Sequence, residues 1–319
     1  MKQIESLAVH IELTYSCNNR CFYCYNENHN PISMSMNKAK TLIQKIEDYV
    51  YTRSFPINIV ITGGEPFENI DVLYYMYEKL SNIPNLSISI NTNLATNDLT
   101  KIQELEKLKK QDEQIHFFVS IPSMFEGIYN KITCNTNYKF FIRNLEYILS
   151  KPEVFSIVSN IVVNNYNKDT LIKSIMLMKL IGINEFKMSP LKSKQTSNEI
   201  FTLLNKAIKF SKKLDMIFHG FATPFILTNK QKRSIDYQEL KEYEIRNCGA
   251  GNTHFSITPQ GFLTPCSAIS SKHRFFNILE TNNEFIPDII RGKTYNLACT
   301  KECEECTNSL NYYIIALEI

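Results

Sequence analysis

Three cysteines fall within eight residues in CNNRCFYC: Cys17, Cys21 and Cys24, spaced x3 then x2. The same spacing recurs in CTKECEEC as Cys299, Cys303 and Cys306. The N-terminal MKQIESLAVHIEL has no apolar signal core and no small-residue cleavage site, so a cytoplasmic protein with reduced thiols is expected. Nine cysteines in such a chain read as metal ligands rather than disulfides. Three thiolates in one short loop fall short of the four ligands of a closed zinc site. A [4Fe–4S] cluster normally takes four cysteines, so three leave one iron open to a substrate or cofactor. A zinc knuckle with a distant fourth ligand is the competing reading.

The elements that must position this loop follow from hydrophobic pattern. Strands are expected over residues 7–13, 57–62, 86–91, 115–121, 155–163 and 184–189. Helices are expected between them over 36–50, 71–81, 97–110, 137–149 and 168–181. About six βα units argue for an α/β fold, a parallel sheet or barrel covered by helices. The first cysteine triplet then lies just past the C-terminal end of the first strand, where βα barrels carry their active sites. Residues 191–247 are polar, lysine-dotted and helix-rich, and read as a connecting region. From Cys248 the pattern turns to short strands, turns and cysteines, a small module held by metal rather than by a large core.

CxxxCxxC after strand one, with Tyr23 before its last cysteine, resembles the radical S-adenosylmethionine (SAM) enzymes. ITGGEPF, directly after the second strand, is the second mark. Gly63 and Gly64 let the backbone turn and approach a ligand closely. The resemblance implies a partial (β/α)6 barrel over 1–190, a [4Fe–4S] cluster on Cys17, Cys21 and Cys24, and SAM held by its amino group at Gly63, Gly64, Glu65 and Pro66. It further implies SAM contacts at Tyr23, at Asn93 in NTN, where Leu94 stands in place of the family's usual glycine, and at Ser120 in FVSIPS, where Pro122 stands in place of an acid. Cys134 follows strand four, and the resemblance to the family's peptide epimerases makes it a candidate hydrogen-atom donor; the bland alternative is an incidental thiol.

CGAGNTHFSITPQGFLTPC reads as a hairpin turning at Pro259-Gln260-Gly261 that returns Cys266 toward Cys248. With the CxxC of Cys303 and Cys306 this makes four thiolates, enough for a closed cluster or for zinc. The stretch resembles the opening of SPASM and Twitch domains, which implies a one-cluster, Twitch-type module over 248–319. The two cysteine triplets thus share spacing but not role, and Cys299 is either a spare or a substitute for Cys303 or Cys306.

The resemblance implies two [4Fe–4S] clusters, a flavodoxin- or ferredoxin-type reductant, and reductive cleavage of SAM to a 5′-deoxyadenosyl radical that takes hydrogen from a substrate C–H bond. A peptide precursor is the expected substrate, crosslinked, thioether-bridged or epimerised. A small molecule such as an amino sugar or alcohol, which would be dehydrogenated, is the alternative. A non-catalytic iron–sulfur or zinc protein is a third reading, opposed by the intact CxxxCxxC and GGEP. A first strand near residue 7 argues against a separate leader-binding domain, which counts against the peptide. Net charge is only +3, which points to no nucleic-acid partner, and no run approaches ~18 apolar residues, so no membrane span is expected. The six histidines are scattered without ligand spacing and read as structural.

Overall fold

The computed structural model describes residues 6–26, 30–52, 56–111, 113–191, 197–221, 250, 253–269, 274 and 276–280. Cys248, Cys299, Cys303 and Cys306 lie outside these residues, and with them all of the expected auxiliary ligands except Cys266.

Strand and helix alternate as the sequence pattern requires. The order is β1 (Leu7–Glu12), α1 (Met36–Tyr51), β2 (Ile57–Thr62), α2 (Ile70–Leu80), β3 (Leu86–Thr92), α3 (Thr100–Glu106) and β4 (Ile115–Ser120). Two helices follow, α4 (Glu126–Thr133) and α5 (Tyr138–Leu149), then β5 (Phe155–Val163), α6 (Leu171–Leu180) and β6 (Glu185–Pro190). α7 (Asn198–Lys213) and β7 (Ile217–Phe221) come next, then three short strands, β8 (His254–Ile257), β9 (Phe262–Thr264) and β10 (Phe276–Asn277). β1 to β7 pair in chain order and in parallel, so every strand's C-terminal end points to one edge. Parallel neighbours need crossover connections, and the helices supply them.

Alternation along each strand divides the sheet's two faces. On β1, Leu7, Val9 and Ile11 are buried in the hydrophobic core. α1 meets the same core with Ala39, Leu42, Ile43 and Ile46, after an N-cap in which the Ser35 side chain accepts from Lys38 N. The other face of β1 carries Ala8, His10 and Glu12. In a flat sheet β1 and β6 would stand about 24 Å apart, five spacings of about 4.8 Å. Instead the charge of Lys187 on β6 reaches His10 on β1. The sheet is therefore curled into a partial barrel, with these side chains facing its lumen.

The sheet runs across both places where the sequence changes character. β7 extends it past residue 190, because α7 turns Phe201, Leu204, Ala207 and Ile208 onto the core despite its many lysines. At the other edge β8 pairs in parallel with β1, and β9 and β10 add antiparallel strands beyond it. The expected hairpin forms, but as part of the barrel sheet rather than apart from it.

α4 is absent from the sequence expectation. Its GIYNKIT carries glycine, asparagine and β-branched residues of low helix propensity. Packing decides instead: Tyr129 and Ile132 are fully buried. No helix among the described residues is long and apolar enough to cross a membrane.

Candidate functional site

The loop that follows β1 is held from behind by α4 and the turn after it. Arg20 N donates to Thr133 O at 2.8 Å and Phe22 N to Ile132 O at 3.1 Å. Asn137 Nδ2 donates to Asn18 O at 3.0 Å, and Asn135 Nδ2 reaches the same carbonyl. Cys134 ends α4 in the left-handed region at φ 49° and is exposed, with its Sγ near Lys131 O. It stands close enough to Cys21 to weigh on its ionisation, so the helix that supports the loop also brings this fourth thiol near it.

From the front the loop is clamped by GGEP. Gly64 N donates to Thr14 O at 2.6 Å and Glu65 N to Ser16 O at 2.8 Å. A Cβ on Gly64 would lie 2.1 Å from Ser16 O, and one on Gly63, at φ 143°, would lie 2.4 Å from Thr14 O. What the two glycines visibly permit is this backbone-to-backbone approach. Glu65 is fully buried, and its carboxylate is used internally. Oε1 accepts from Thr92 Oγ1 at 2.6 Å and Phe67 N at 3.3 Å, and Oε2 accepts from Asn93 N at 2.7 Å. Burial pushes this carboxyl up to about 7 while those donors pull it back. The side chain thereby joins the ends of β2 and β3, and Pro66 opens a one-turn 3-10 helix after it.

Asn93 closes the third side. Its Nδ2 donates to Asn18 Oδ1 at 2.8 Å and lies 3.5 Å from Cys17 Sγ, while Asn18 Nδ2 donates to Ala95 O at 2.8 Å. Leu94 adopts the left-handed conformation, at φ 58°, with its side chain fully buried. Asn144 on α5 is also fully buried and donates to Leu94 O at 2.9 Å and Thr96 O at 2.8 Å. Sequence reading missed Asn144; its signal was a polar residue among the apolar Phe141, Leu145 and Ile148 of one helix face. Ser120 ends β4 on the lumen side, half-buried, beside Asn160 of β5.

Cys17, Cys21, Cys24, Cys134 and Cys266 are all reduced thiols. Burial pushes Cys17 and Cys21 up to about 12; the Glu65 charge and the neighbouring thiols add to the rise at Cys17, and Cys24 and Cys134 add to it at Cys21. Tyr23 is half-buried among them, its phenol pushed well up by burial and then by Cys21 and Cys24. Thiolates in such a place require a compensating metal charge. A cubane takes each of three thiolates at a different iron. The donor set, three close thiols clamped between glycine backbone and asparagine side chains, fits a three-cysteine cluster.

Cys266 lies on the β9 side of the same region. Burial raises the Tyr25 phenol most, and Glu12, Cys24 and Cys266 all add to it, which places Cys266 and the first cysteine loop around one tyrosine. Glu12, fully buried at the end of β1, is pushed up to about 7 by burial and pulled back by the hydroxyls of Ser267 and Tyr15.

The radical SAM superfamily profile matches residues 11–178. The uncharacterized protein MJ0907 of Methanocaldococcus jannaschii is 27% identical over 230 residues, 71% of this chain and 75% of that one. A probable GTP 3′,8-cyclase of Methanococcus aeolicus is 33% identical over 134 residues, 41% of this chain and 42% of that one. A probable GTP 3′,8-cyclase of Saccharolobus islandicus is 29% identical over 180 residues, 55% of this chain and 54% of that one. The chain spans about half the length of these cyclases. Among solved structures, anSMEcpe with bound AdoMet and Cp18Cys peptide superposes with TM-score 0.63 at 15% identity, over 95% of this chain and 88% of that one. SuiB of Streptococcus suis bound to its precursor peptide SuiA gives TM-score 0.65 at 13% identity, over 95% and 70%. With the profile covering more than half of the chain and the three-cysteine loop at the mouth of a parallel barrel, this protein belongs to the radical SAM superfamily, whose enzymes work with SAM and a [4Fe–4S] cluster.

Proposed function

We propose that this enzyme uses SAM radical chemistry to modify a peptide at an unactivated carbon. When bound, cluster and SAM supply a 5′-deoxyadenosyl radical able to take hydrogen from such a carbon. In this reading Cys17, Cys21 and Cys24 hold the cluster, and backbone carbonyls around Gly63 to Glu65 receive the SAM ammonium. Tyr23 and Ser120 border the nucleoside, while Asn93 and the Glu65 carboxylate keep the three loops in register. The supporting observation is the reach of the fold likeness, 95% of this chain against two peptide-bound enzymes, which extends beyond the 168 residues of the superfamily match. Cys134 remains a proposed hydrogen-atom donor on its exposure and nearness to Cys21. A flavodoxin- or ferredoxin-type protein is the proposed reductant.

A second reading, a small-molecule substrate, draws on the cyclase relatives, which are more similar in sequence than the peptide enzymes are. One assay separates the two. The reduced enzyme is incubated anaerobically with SAM and short peptides encoded beside its gene, and the products are weighed. Loss of two hydrogens, or deuterium uptake from D₂O, is expected in a peptide. Unchanged peptides, together with an amino sugar, alcohol or nucleotide turned over with stoichiometric 5′-deoxyadenosine, would replace the peptide reading.

We also propose an auxiliary cluster on Cys248, Cys266, Cys303 and Cys306 in a Twitch-like module over 248–319. Support comes from the hairpin that delivers Cys266 to the edge of the barrel, near Tyr25. Reconstituted protein should then hold about eight irons in two [4Fe–4S] clusters. Four irons with stoichiometric zinc would remove the second cluster.

A further inference from the structure

Among the described residues, one cation of the barrel lumen, Lys187, has no carboxylate partner. Lys187 on β6 is half-buried, and the contact its ammonium makes among the described residues is with the ring of Phe118 on β4, 4.5 Å to the centroid. The acid on the same strand face, Glu185, is engaged by His219 at 2.6 Å. Burial lowers the Lys187 ammonium, and among the described residues no acid stands near enough to offset its desolvation. A charged side chain taken out of water without a counter-charge is costly, which marks such a place as built for a missing partner.

What surrounds Lys187 suits an oxyanion. Asn160 pairs with it across β5 and β6, so an amide Nδ2, a hydrogen-bond donor, stands beside the ammonium on the same face. Asn160 also pairs with Ser120, so Ser120, Asn160 and Lys187 form one row across three strands at the lumen wall. Across the lumen, His10 of β1 and His254 of β8 meet edge to face, ring centroids 4.4 Å apart. These two histidines, from opposite ends of the chain, were expected to be scattered. Burial keeps both neutral, with His254 lowered to about 4, so each imidazole offers an N–H without a charge of its own.

We propose that Lys187, flanked by Asn160 and faced by His10 and His254, receives a carboxylate of the substrate. The inference rests on the reading of the barrel mouth as the SAM site, because the shared row sets this carboxylate beside Ser120. It deepens that reading: a peptide substrate carries an acidic residue near the carbon that is attacked, and a small-molecule substrate is itself a carboxylic acid.

The test is calorimetric, on anaerobically reconstituted holoenzyme. The probes are SAM, a capped hexapeptide with one glutamate, the same peptide with glutamine, succinate, and inorganic phosphate. The glutamate peptide should bind at least about tenfold tighter than the glutamine peptide, the scale of one charge-assisted hydrogen bond. That preference should vanish in Lys187→Met and persist in Lys187→Arg. Succinate binding that is lost in Lys187→Met, with no preference between the peptides, keeps the carboxylate site and assigns it to a small molecule. Phosphate binding tighter than either carboxylate overturns the proposal, as does carboxylate binding unchanged by Lys187→Met. Should Lys187→Met fail to fold, amine acetylation of the wild type read by mass spectrometry decides: succinate or the glutamate peptide should shield Lys187 but not the surface residue Lys107, and absence of shielding overturns the site. Holoenzyme that binds SAM but no carboxylate sinks this proposal alone. Holoenzyme that binds carboxylates but not SAM keeps the site and sinks the functional reading.

Discussion

Replacing Cys17, Cys21 and Cys24 together by alanine should reduce SAM cleavage to the background seen with reductant alone, while leaving the fold in place. The two halves of this expectation have different causes. The loop's shape comes mainly from backbone and asparagine groups: Arg20 N and Phe22 N on the end of α4, Asn137 and Asn135 on Asn18 O, and Asn18 on Ala95 O. The thiols themselves accept weak bonds, from Asn19 N and Asn93 Nδ2 at 3.4 and 3.5 Å to Cys17 Sγ. Losing them should cost about 1 kcal/mol. The chemistry, by contrast, has no second source in the loop, since the donors that would carry three irons are the substituted atoms. Circular dichroism melting, iron analysis and 5′-deoxyadenosine yield together check it. Wild-type cleavage by the triple variant would refute the assignment of the cluster to this loop. A variant that no longer folds would show that the metal, not the asparagine net, shapes it.

The sequence disclosed this site unevenly, for physical reasons. β1 to β6 were legible because each is a short run either nearly apolar throughout, as INIVIT, or alternating apolar with polar, as LSISINT and EFKMSP, and the cysteine loop and GGEP because their spacing is local. α4 was hidden, since its residues favour helix only once Tyr129 and Ile132 are buried. Glu65 was legible through the GGEP motif, and the partners its carboxylate shows are internal. An ammonium acceptor was anticipated, and β2 and β3 bring Thr92 and Asn93 onto both carboxylate oxygens. Asn93, expected at SAM, is seen bracing Asn18. The pairing of His10 with His254 depends on β8 joining the edge of β1, a contact between distant segments that no local pattern encodes. Leu94 shows the converse: a residue that signals an altered loop by its type takes the left-handed backbone anyway, held by Asn144 on its carbonyl and Thr92 on its amide.

Gly64→Ala should be the most damaging single-methyl change in the barrel, and Gly127→Ala one of the mildest. The added Cβ at Gly64 would meet Ser16 O at 2.1 Å, Ser16 C at 2.6 Å and Tyr15 O at 2.7 Å, all backbone atoms that no rotamer change can clear. The GGEP loop must therefore part from the segment leading into Cys17. That breaks the Gly64 N to Thr14 O and Glu65 N to Ser16 O bonds, at a combined cost on the order of 3 kcal/mol. It also shifts the cysteine loop against the carbonyls proposed to receive SAM, and displacement of about 1 Å can cost 10²-fold in rate, so SAM cleavage should fall at least about 100-fold. Gly127 sits in the first turn of α4 with nothing within 4 Å of an added Cβ. Alanine there should leave cleavage unchanged and stabilise the helix by up to about 1 kcal/mol. Thermal melts and cleavage rates of the two variants, each loaded to the same iron content, make the comparison. If Gly64→Ala cleaves SAM within about threefold of wild type, the approach of the GGEP backbone to the cysteine loop is not what aligns the site, and the role of the two glycines must then lie in the ligand they face.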